Sequence, residues 1–424
     1  MIVERMGQGV RVFHRGEEGG RRTTDFPGFL PYCYVEDESA KWIEDTIETP
    51  GFKGVFGTSL TKIEAQEETI RQVAKMGPTW EARIPHANKV LAAHVKGGGD
   101  PIPPYKHRVW YLDGEWSIET GAITMLTVHD SFTEKLFTWL WHPEVSPGKH
   151  HSLGEYSYGE TPIMAFDSEA KLLQHFVNFM RRHDPDIITG WYVAGADIKQ
   201  IVNRCRFNKV RATTMSPLNR LRYDYGDWDQ PIPGRNVIDL MLAFPKIYEL
   251  KNGKLPGYKL DDVAEFVLGE RKVELKDGHD TYWTDLPLYV DYNRQDVRLL
   301  PRLDRMVNAL DYFIAVQHIA QCDIATTPFV TKVFSSLTLG DPKVDFQIPT
   351  SPKFVKEDYE GAIVMEEPAG IYPNVGIFDV KAMYHSNVNL HNISWDTLDP
   401  DGEDCGNGTC FDKSRVGLLG RQMD

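Results

Sequence analysis

No run of apolar residues in this 424-residue chain approaches the roughly 18–20 needed to cross a bilayer. A membrane role is therefore not expected. The opening stretch, MIVERMGQGVRVFHRG, lacks the apolar block of a secretory leader, so export is not expected either. Cysteine is scarce. Cys33, Cys205, Cys322, Cys405 and Cys410 are too few, and odd in number, for a disulfide framework. They read as thiols of a reducing, cytoplasmic compartment. Internal repeats and low-complexity tracts are missing, which argues against solenoids and tail-like segments. What is there is a globular composition, 41% hydrophobic and 25% charged. At roughly 100–200 residues per domain it fits about two to four domains.

Positive charge is short as well. Lys and Arg number 47 against 61 Asp and Glu, a net charge of −14. Taken whole, this argues against a nucleic-acid partner. Locally the balance reverses. From Ile198 to Arg222 there is no Asp or Glu, while Lys199, Arg204, Arg206, Lys209, Arg211, Arg220 and Arg222 fall in that stretch. A nuclease that holds cations on carboxylates can be acidic overall and need only a local basic groove. A solvated helix face is the plainer reading of such a run.

Three blocks are expected along the chain. Residues 1–106 form a mixed α+β N-terminal domain, with VRVF at 10–13 and YCYV at 32–35 as strands and 62–75 as a helix. GGGDPIPP at 97–104 is a linker. Residues 107–330 alternate strands and helices, which predicts an α/β sheet with helices packed on it. The strands are 109–113, 122–128, 135–141, 186–191 and 236–241. One helix, capped by Asp167 or Ser168, runs to Arg182, with Leu172, Leu173, Phe176, Val177 and Met180 at helical spacing. Another carries Ile198, Ile201, Val202 and Cys205, and a third Leu260, Val263, Ala264 and Val267, closed by Gly269. A helix over 290–310 contains Pro301, which should kink or break it. Residues 331–424 begin a new domain, and GAIVMEEPAGIYPNVGIFDV reads as two strands around a turn.

Four acids and a phenol stand out by position. Asp113 and Glu115 close an apolar strand in YLDGEW; two residues apart, they point to one side. Asp197 follows the buried strand DIITGW and starts a helix. Asp296 lies one helical turn after Tyr292, on the same face. Carboxylates gathered on one side are costly unless they share a cation, and hard oxygen donors suit Mg2+ or Mn2+ better than zinc. Singly, each has a bland reading: a cap for Asp197, an ion-pair partner for Asp296, a core residue for Tyr292. Cys405-Gly-Asn-Gly-Thr-Cys410 lacks a second ligand pair and reads as a polar loop. His150 and His151 have no partner spacing.

In this order the motifs resemble those of the family B DNA polymerases that carry a 3′→5′ proofreading exonuclease of the Asp-Glu-Asp-Asp-Tyr type. Asp113-Gly-Glu115 matches the first exonuclease motif, DPDIITGWYVAGADI at 184–198 the second with Asp197 as its acid, and Tyr292-Asn-Arg-Gln-Asp296 the third. VIDLM at 237–241 and YKLDDVAEFVLGE at 258–270 resemble the connecting segments, and FPGFLPYCYVED and WEARIPHANKVL those of the N-terminal domain. Residues 360–394 resemble the segment that ends in the first palm motif, keeping Asp379, Tyr384 and Ser386 but carrying Ala382, Met383 and His385 at other motif positions. Tyr192 and Ala196 replace an Asn and an aromatic before Asp197. SIET at 117–120 mimics the first motif, with Ser117 where the acid belongs.

The resemblance implies an RNase H-like exonuclease sheet with flanking helices, followed by the start of a polymerase palm. It implies hydrolysis of single-stranded DNA ends with two Mg2+ or Mn2+ ions about 3.5–4 Å apart. Asp113, Glu115, Asp197 and Asp296 are the implied metal ligands, and Tyr292 orients the attacking water. Lys199, Arg204, Arg206, Lys209 and Arg211 become candidates for DNA phosphates. Asp379 is half of a nucleotide-transfer metal site, and Tyr384 lies under the incoming dNTP sugar. The second palm carboxylate motif and the fingers motifs do not occur in this sequence. The expectation is an N-terminal polymerase part that binds single-stranded and primer–template DNA. It would use dNTPs only with a complementary C-terminal part, such as a second polymerase chain, and a sliding clamp is a further partner. Its compartment is the cytoplasm of a prokaryote or virus-infected cell. The alternatives are a stand-alone exonuclease and an assembly subunit with a vestigial one. Ile363, Val364, Ile371, Ile377 and Phe378 are expected on an apolar face left uncovered.

Overall fold

The computed structural model describes residues 1–16, 18–143, 150–151, 163–350, 365 and 368–423. By compactness the chain divides into two units: Met1–Pro27 with Asp100–Val333, and Gly28–Gly99 with Phe334–Asp424. The expected 1–106 domain is thus shared between them. In the first unit, β1 (Ile2–Met6), β2 (Gly9–Arg15) and β3 (Arg21–Phe26) make an antiparallel sheet. Buried charge ties it down. Arg15 pairs with Asp186, Arg21 reaches Asp186 at 3.2 Å and Asp184 at 3.0 Å, and Arg235 reaches Asp184 at 2.8 Å. Glu4 accepts the Gly234 N–H at 2.9 Å and pairs with Arg222 at 3.1 Å.

The second unit begins with β4 (Tyr32–Glu36), α1 (Asp37–Ala40), β5 (Ile47–Lys53), β6 (Ser59–Glu64), α2 (Glu67–Met76) and α3 (His86–Lys96). Its sheet has the order β4-β6-β5, over a core of Cys33, Val35, Ile63, Ile70 and Val73. The helix expected over 62–75 starts only at Glu67. Residues 62–64 are strand, because Leu60 and Ile63 are buried where β6 pairs on both sides.

The first unit resumes with β7 (Val109–Trp116), β8 (Ile123–Asp130), β9 (Lys135–Trp141), β10 (His150–His151) and β11 (Ile163–Phe166). Then come α4 (Glu169–His183), β12 (Ile187–Gly190), α5 (Asp197–Phe207), β13 (Asn236–Asp239) and α6 (Leu240–Asn252). It ends with α7 (Leu260–Leu268), α8 (Thr281–Thr284), α9 (Leu286–Val307) and α10 (Ala309–Ala320). The seven strands form one mixed sheet, β10-β11-β9-β8-β7-β12-β13. β7, β8 and β9 are antiparallel, while β12 runs parallel to β7 and β13 to β12. Alternation along β7 sorts the two faces. Trp110 and Leu112 pack with α4 and α5, and Val109 and Tyr111 with α6, α7, α9 and α10. Asp113 and Glu115 continue the second series. The sheet is α/β, as expected.

Two element ends differ from expectation. The strand over 236–241 stops at Asp239, whose side chain accepts the Met241 N–H at 3.0 Å and caps α6. α9 continues through Pro301; the break falls at Asn308, in the left-handed region at φ 52° that Asn tolerates. Beyond it lie α11 (Val330–Gly340), α12 (Met383–His391), β14 (Leu398–Asp404), β15 (Cys410–Phe411) and α13 (Leu418–Met423). The strands expected within 361–380 are not found among the described residues: 368–380 form neither strand nor helix. Ile371, Ile377 and Phe378 are almost fully exposed. Ile363 and Val364 lie outside the described residues.

Candidate active site

The pairing of β7 with β12 ends at Tyr111, opposite Thr189. β7 runs on past its neighbour, so Asp113 and Glu115 stand where the parallel strand has stopped and its chain turns toward α5. Such carboxyl ends of parallel strands are where open α/β sheets place their sites. α9 packs across this end of β7 and β8 and lays Tyr292, Asn293 and Asp296 beside the two strand acids. Oxygens of Asp113, Glu115 and Asp296 lie within 4.8 Å of one another. Among the described residues no other three His, Cys, Asp or Glu side chains converge this way.

Asp197, the first residue of α5, comes in over Gly114. A Cβ there would lie 3.2 Å from Asp197 Oδ1 and 2.9 Å from Leu126. Gly114 faces the α4–α5 side, so Asp197 meets β7 from the face opposite Asp296. The glycine between the two strand acids leaves room for a third. The decoy Ser117 and Glu119 sit in the turn after β7, apart from this cluster.

Two residues at the site carry no motif signal of their own. Lys272, on the segment after α7, pairs through Nζ with Asp296 Oδ2 and lies 5.3 Å from the Tyr292 ring centre. A lone lysine in a loop has no spacing to betray it. Asn293 donates Nδ2–H to Asp113 Oδ2 at 2.7 Å. Its place beside Tyr292 in the third motif was visible, but its partner was not.

The electrostatics follow from crowding. Burial, then the Asp296 charge, pushes Asp113 up to about 7. Burial, then Asp113, raises Glu115 and Asp197 well above the carboxylate range. Burial raises Asp296 to about 6, opposed by Lys272. For Lys272, burial works against the charge, but Asp296 and Tyr292 outweigh it and the ammonium is held more firmly. Burial and then Asp296 push Tyr292 up to about 12. One lysine cannot neutralise this many acids. The remaining negative charge must take protons or a cation. Asp296 Oδ1 is buried without a hydrogen-bond partner. An orphaned carboxylate oxygen in an all-oxygen donor set fits a hard divalent ion such as Mg2+ or Mn2+. A cleft of about 580 Å3 opens beside Asp113, lined by Trp191, Met241, Tyr258, Lys259 and Lys272.

The basic stretch divides. Arg204 does not face solvent as expected for a phosphate contact. It reaches Glu169 with two bonds at 2.6 and 2.7 Å, because buried Glu169 needs a cation. Arg220 and Arg222 are taken by Glu4. Lys199, Arg206, Lys209 and Arg211 are exposed, with Lys199 over the Tyr225 ring at 5.2 Å. Asp379 is exposed in the 368–380 segment, and Tyr384 is exposed on α12. No helix of the described residues is long and apolar enough to cross a membrane.

Residues 127–263 match the family model described as DNA polymerase family B, exonuclease domain. Asp197 falls inside this match; Asp113, Glu115, Tyr292 and Asp296 flank it. The DNA-directed DNA polymerase of Enterobacteria phage T4 is 25% identical over 246 residues, 55% of this chain and 27% of that protein. The DNA-directed DNA polymerase of Escherichia phage RB69 is 27% identical over the same shares. The DNA polymerase of Archaeoglobus fulgidus is 27% identical over 261 residues, 60% of this chain and 32% of that protein. The chain spans less than a third of these relatives. The α/β sheet is accordingly RNase H-like, and residues 127–263 are similar to the exonuclease domain of the family B DNA polymerases.

Proposed function

We propose that the first unit removes nucleotides from single-stranded 3′ ends of DNA, by metal-dependent phosphodiester hydrolysis, as the proofreading part of a replicative polymerase. The observation that supports this most is the convergence of Asp113, Glu115 and Asp296, with an unpartnered Asp296 oxygen, beside the cleft. Asp113, Glu115 and Asp296 would hold divalent ions, two in the family's manner, with Asp197 completing the set from the far side of Gly114. Such ions supply Lewis acidity toward the scissile phosphate. The chain's own groups do the placing. The Tyr292 hydroxyl, a phenol held protonated by its acidic neighbours, hydrogen-bonds and orients the attacking water. Lys272 fixes Asp296 and Asn293 fixes Asp113. Trp191, Tyr258 and Lys259 offer stacking surface and a cation to the terminal nucleotides, and Lys199, Arg206, Lys209 and Arg211 meet phosphates further out.

Asp379 and Tyr384 belong, in this reading, to a nucleotide-transfer site that needs a second palm carboxylate from elsewhere. The test is a 5′-labelled single-stranded oligonucleotide with Mg2+. Stepwise shortening from the 3′ end, lost in Asp113→Ala, is the expected result. Shortening at wild-type rate in Asp113→Ala would assign the chemistry to other residues.

A further inference from the structure

β12 and β13 end level, with Gly190 opposite Asp239. From there one chain goes into α6 and the other through a tight turn into α5, whose first residue is Asp197. Asp239 serves both. It is buried, 2% exposed, and pairs with no cation among the described residues. Its Oδ1 accepts the N–H groups of Met241 at 3.0 Å and of Tyr192 at 2.8 Å, and its Oδ2 that of Ala194 at 3.2 Å. Capping α6 alone would need one oxygen, which a serine could supply. A buried carboxylate is costly unless hydrogen-bonded, so its second oxygen calls for a reason.

The turn supplies one. Tyr192 adopts φ 65°, a left-handed conformation that non-glycine residues disfavour, and its N–H is the group Asp239 holds most closely. The Tyr192 ring lies over Gly195, where a Cβ would come within 2.3 Å of it. Tyr192 O then accepts the Ala196 N–H at 2.9 Å, and Val193 O accepts that of Ile198 at 2.9 Å, which launches α5. The direction in which Asp197 leaves the turn, toward Gly114, is thus set by the two N–H groups that Asp239 grips.

We propose that Asp239 is a positioning residue that places Asp197 by clamping the 192–194 turn. This rests on the exonuclease reading of the site and adds to it a residue that touches neither substrate nor ion. Asp239→Ser keeps a cap oxygen for Met241 and gives up the two-oxygen grip. It should lower kcat for single-stranded DNA about 10–100-fold, as loss of a ligand-orienting partner does, and leave KM for the oligonucleotide unchanged. Hydrogen exchange should speed up at the Tyr192 and Ala194 amides and stay slow in α6. The decisive arm is a double-mutant cycle. In an Asp197→Asn background, Asp239→Ser should cost nothing further, whereas a general weakening of the fold would lower both backgrounds alike. Unchanged kcat, or an equal loss in both backgrounds, overturns the proposal. If Asp239→Ser does not fold, the isosteric Asp239→Asn is put through the same cycle. A wild-type chain inert with Mg2+ sinks the exonuclease reading instead, and the two failures are therefore told apart.

Discussion

Asp113 and Asp296 stand a few ångströms apart, yet their removal should have opposite effects on stability. Asp113 is a surplus negative charge whose carboxyl is pushed up to about 7, and Asp113→Asn keeps a hydrogen-bonding partner for Asn293. In EDTA its Tm is expected to equal or exceed that of the wild type. Asp296→Ala strands the Lys272 ammonium, about a quarter exposed. Breaking a buried pair costs about 3–5 kcal/mol, and partial exposure reduces that here to about 1–3 kcal/mol. Both variants should be inactive, so Tm in EDTA separates them. His107 makes a second case. Burial, and then the neighbouring terminal amine, push its imidazole down to about 2, from an ordinary value of 6.5. Above pH 6.5 folded and unfolded chains are both neutral there and stability is complete. As pH falls below 6.5 the unfolded chain takes up a proton that the folded chain refuses, and stability is lost. By pH 5 this amounts to about 2 kcal/mol. Urea midpoints between pH 7 and 5 should fall less steeply in His107→Gln than in the wild type.

Among the elements, β1–β3 depend on charges set far along the chain. Asp186 is fully buried where the chain enters β12. It accepts the Arg108 N–H at 2.8 Å, pairs with Arg15 and reaches Arg21 at 3.2 Å. Asp186→Ala leaves Arg15, itself 7% exposed, without its carboxylate. A loss of about 3–5 kcal/mol is expected, seen as a lower Tm and faster proteolysis at β1–β3. A melting curve like that of the wild type would show that this sheet docks by other means. α5 shows the same dependence. Its Arg204 is bound to Glu169 of α4, so α5 is pinned to its neighbour by a residue that the sequence offered only as a candidate for DNA phosphates.

For the whole molecule, the charge of −14 sets a repulsive background for DNA. In the function proposed above, binding comes from the exposed side chains of Lys199, Arg206, Lys209 and Arg211. Reversing Arg206, Lys209 and Arg211 to Glu should weaken single-strand binding and flatten its dependence on salt, by about 0.7 in log–log slope for each phosphate that is no longer neutralised. Fluorescence anisotropy across a salt series reads this directly, and an unchanged slope returns these residues to the role of a solvated face. With primer–template DNA and dNTPs, the 424-residue chain is expected to shorten primers and not to extend them. In the proposed reading Asp379 is half of a nucleotide-transfer site, and it stands exposed. Template-directed extension in a denaturing gel would overturn that.

How much of this was legible in the sequence divides by the range of the forces involved. Strand alternation puts Asp113 and Glu115 on one side, and helix spacing puts Tyr292 and Asp296 on one side, because both depend on backbone geometry over a few residues. The same local rules set α4, capped by Ser168, and α7, closed at Gly269 with φ 69°. They misplaced the ends of α2 and β13, where pairing and capping partners decide the boundary. Tertiary structure alone decided that α9 lies across β7, that Lys272 meets Asp296 24 positions away, and that Glu169 claims Arg204 35 positions away. It also decided that β1–β3 join the seven-stranded sheet of the first unit through Arg15 and Asp186, 171 positions apart. A buried charge must find an opposite charge or a row of N–H groups wherever the chain supplies one, and nothing in the residues next to it records which will arrive.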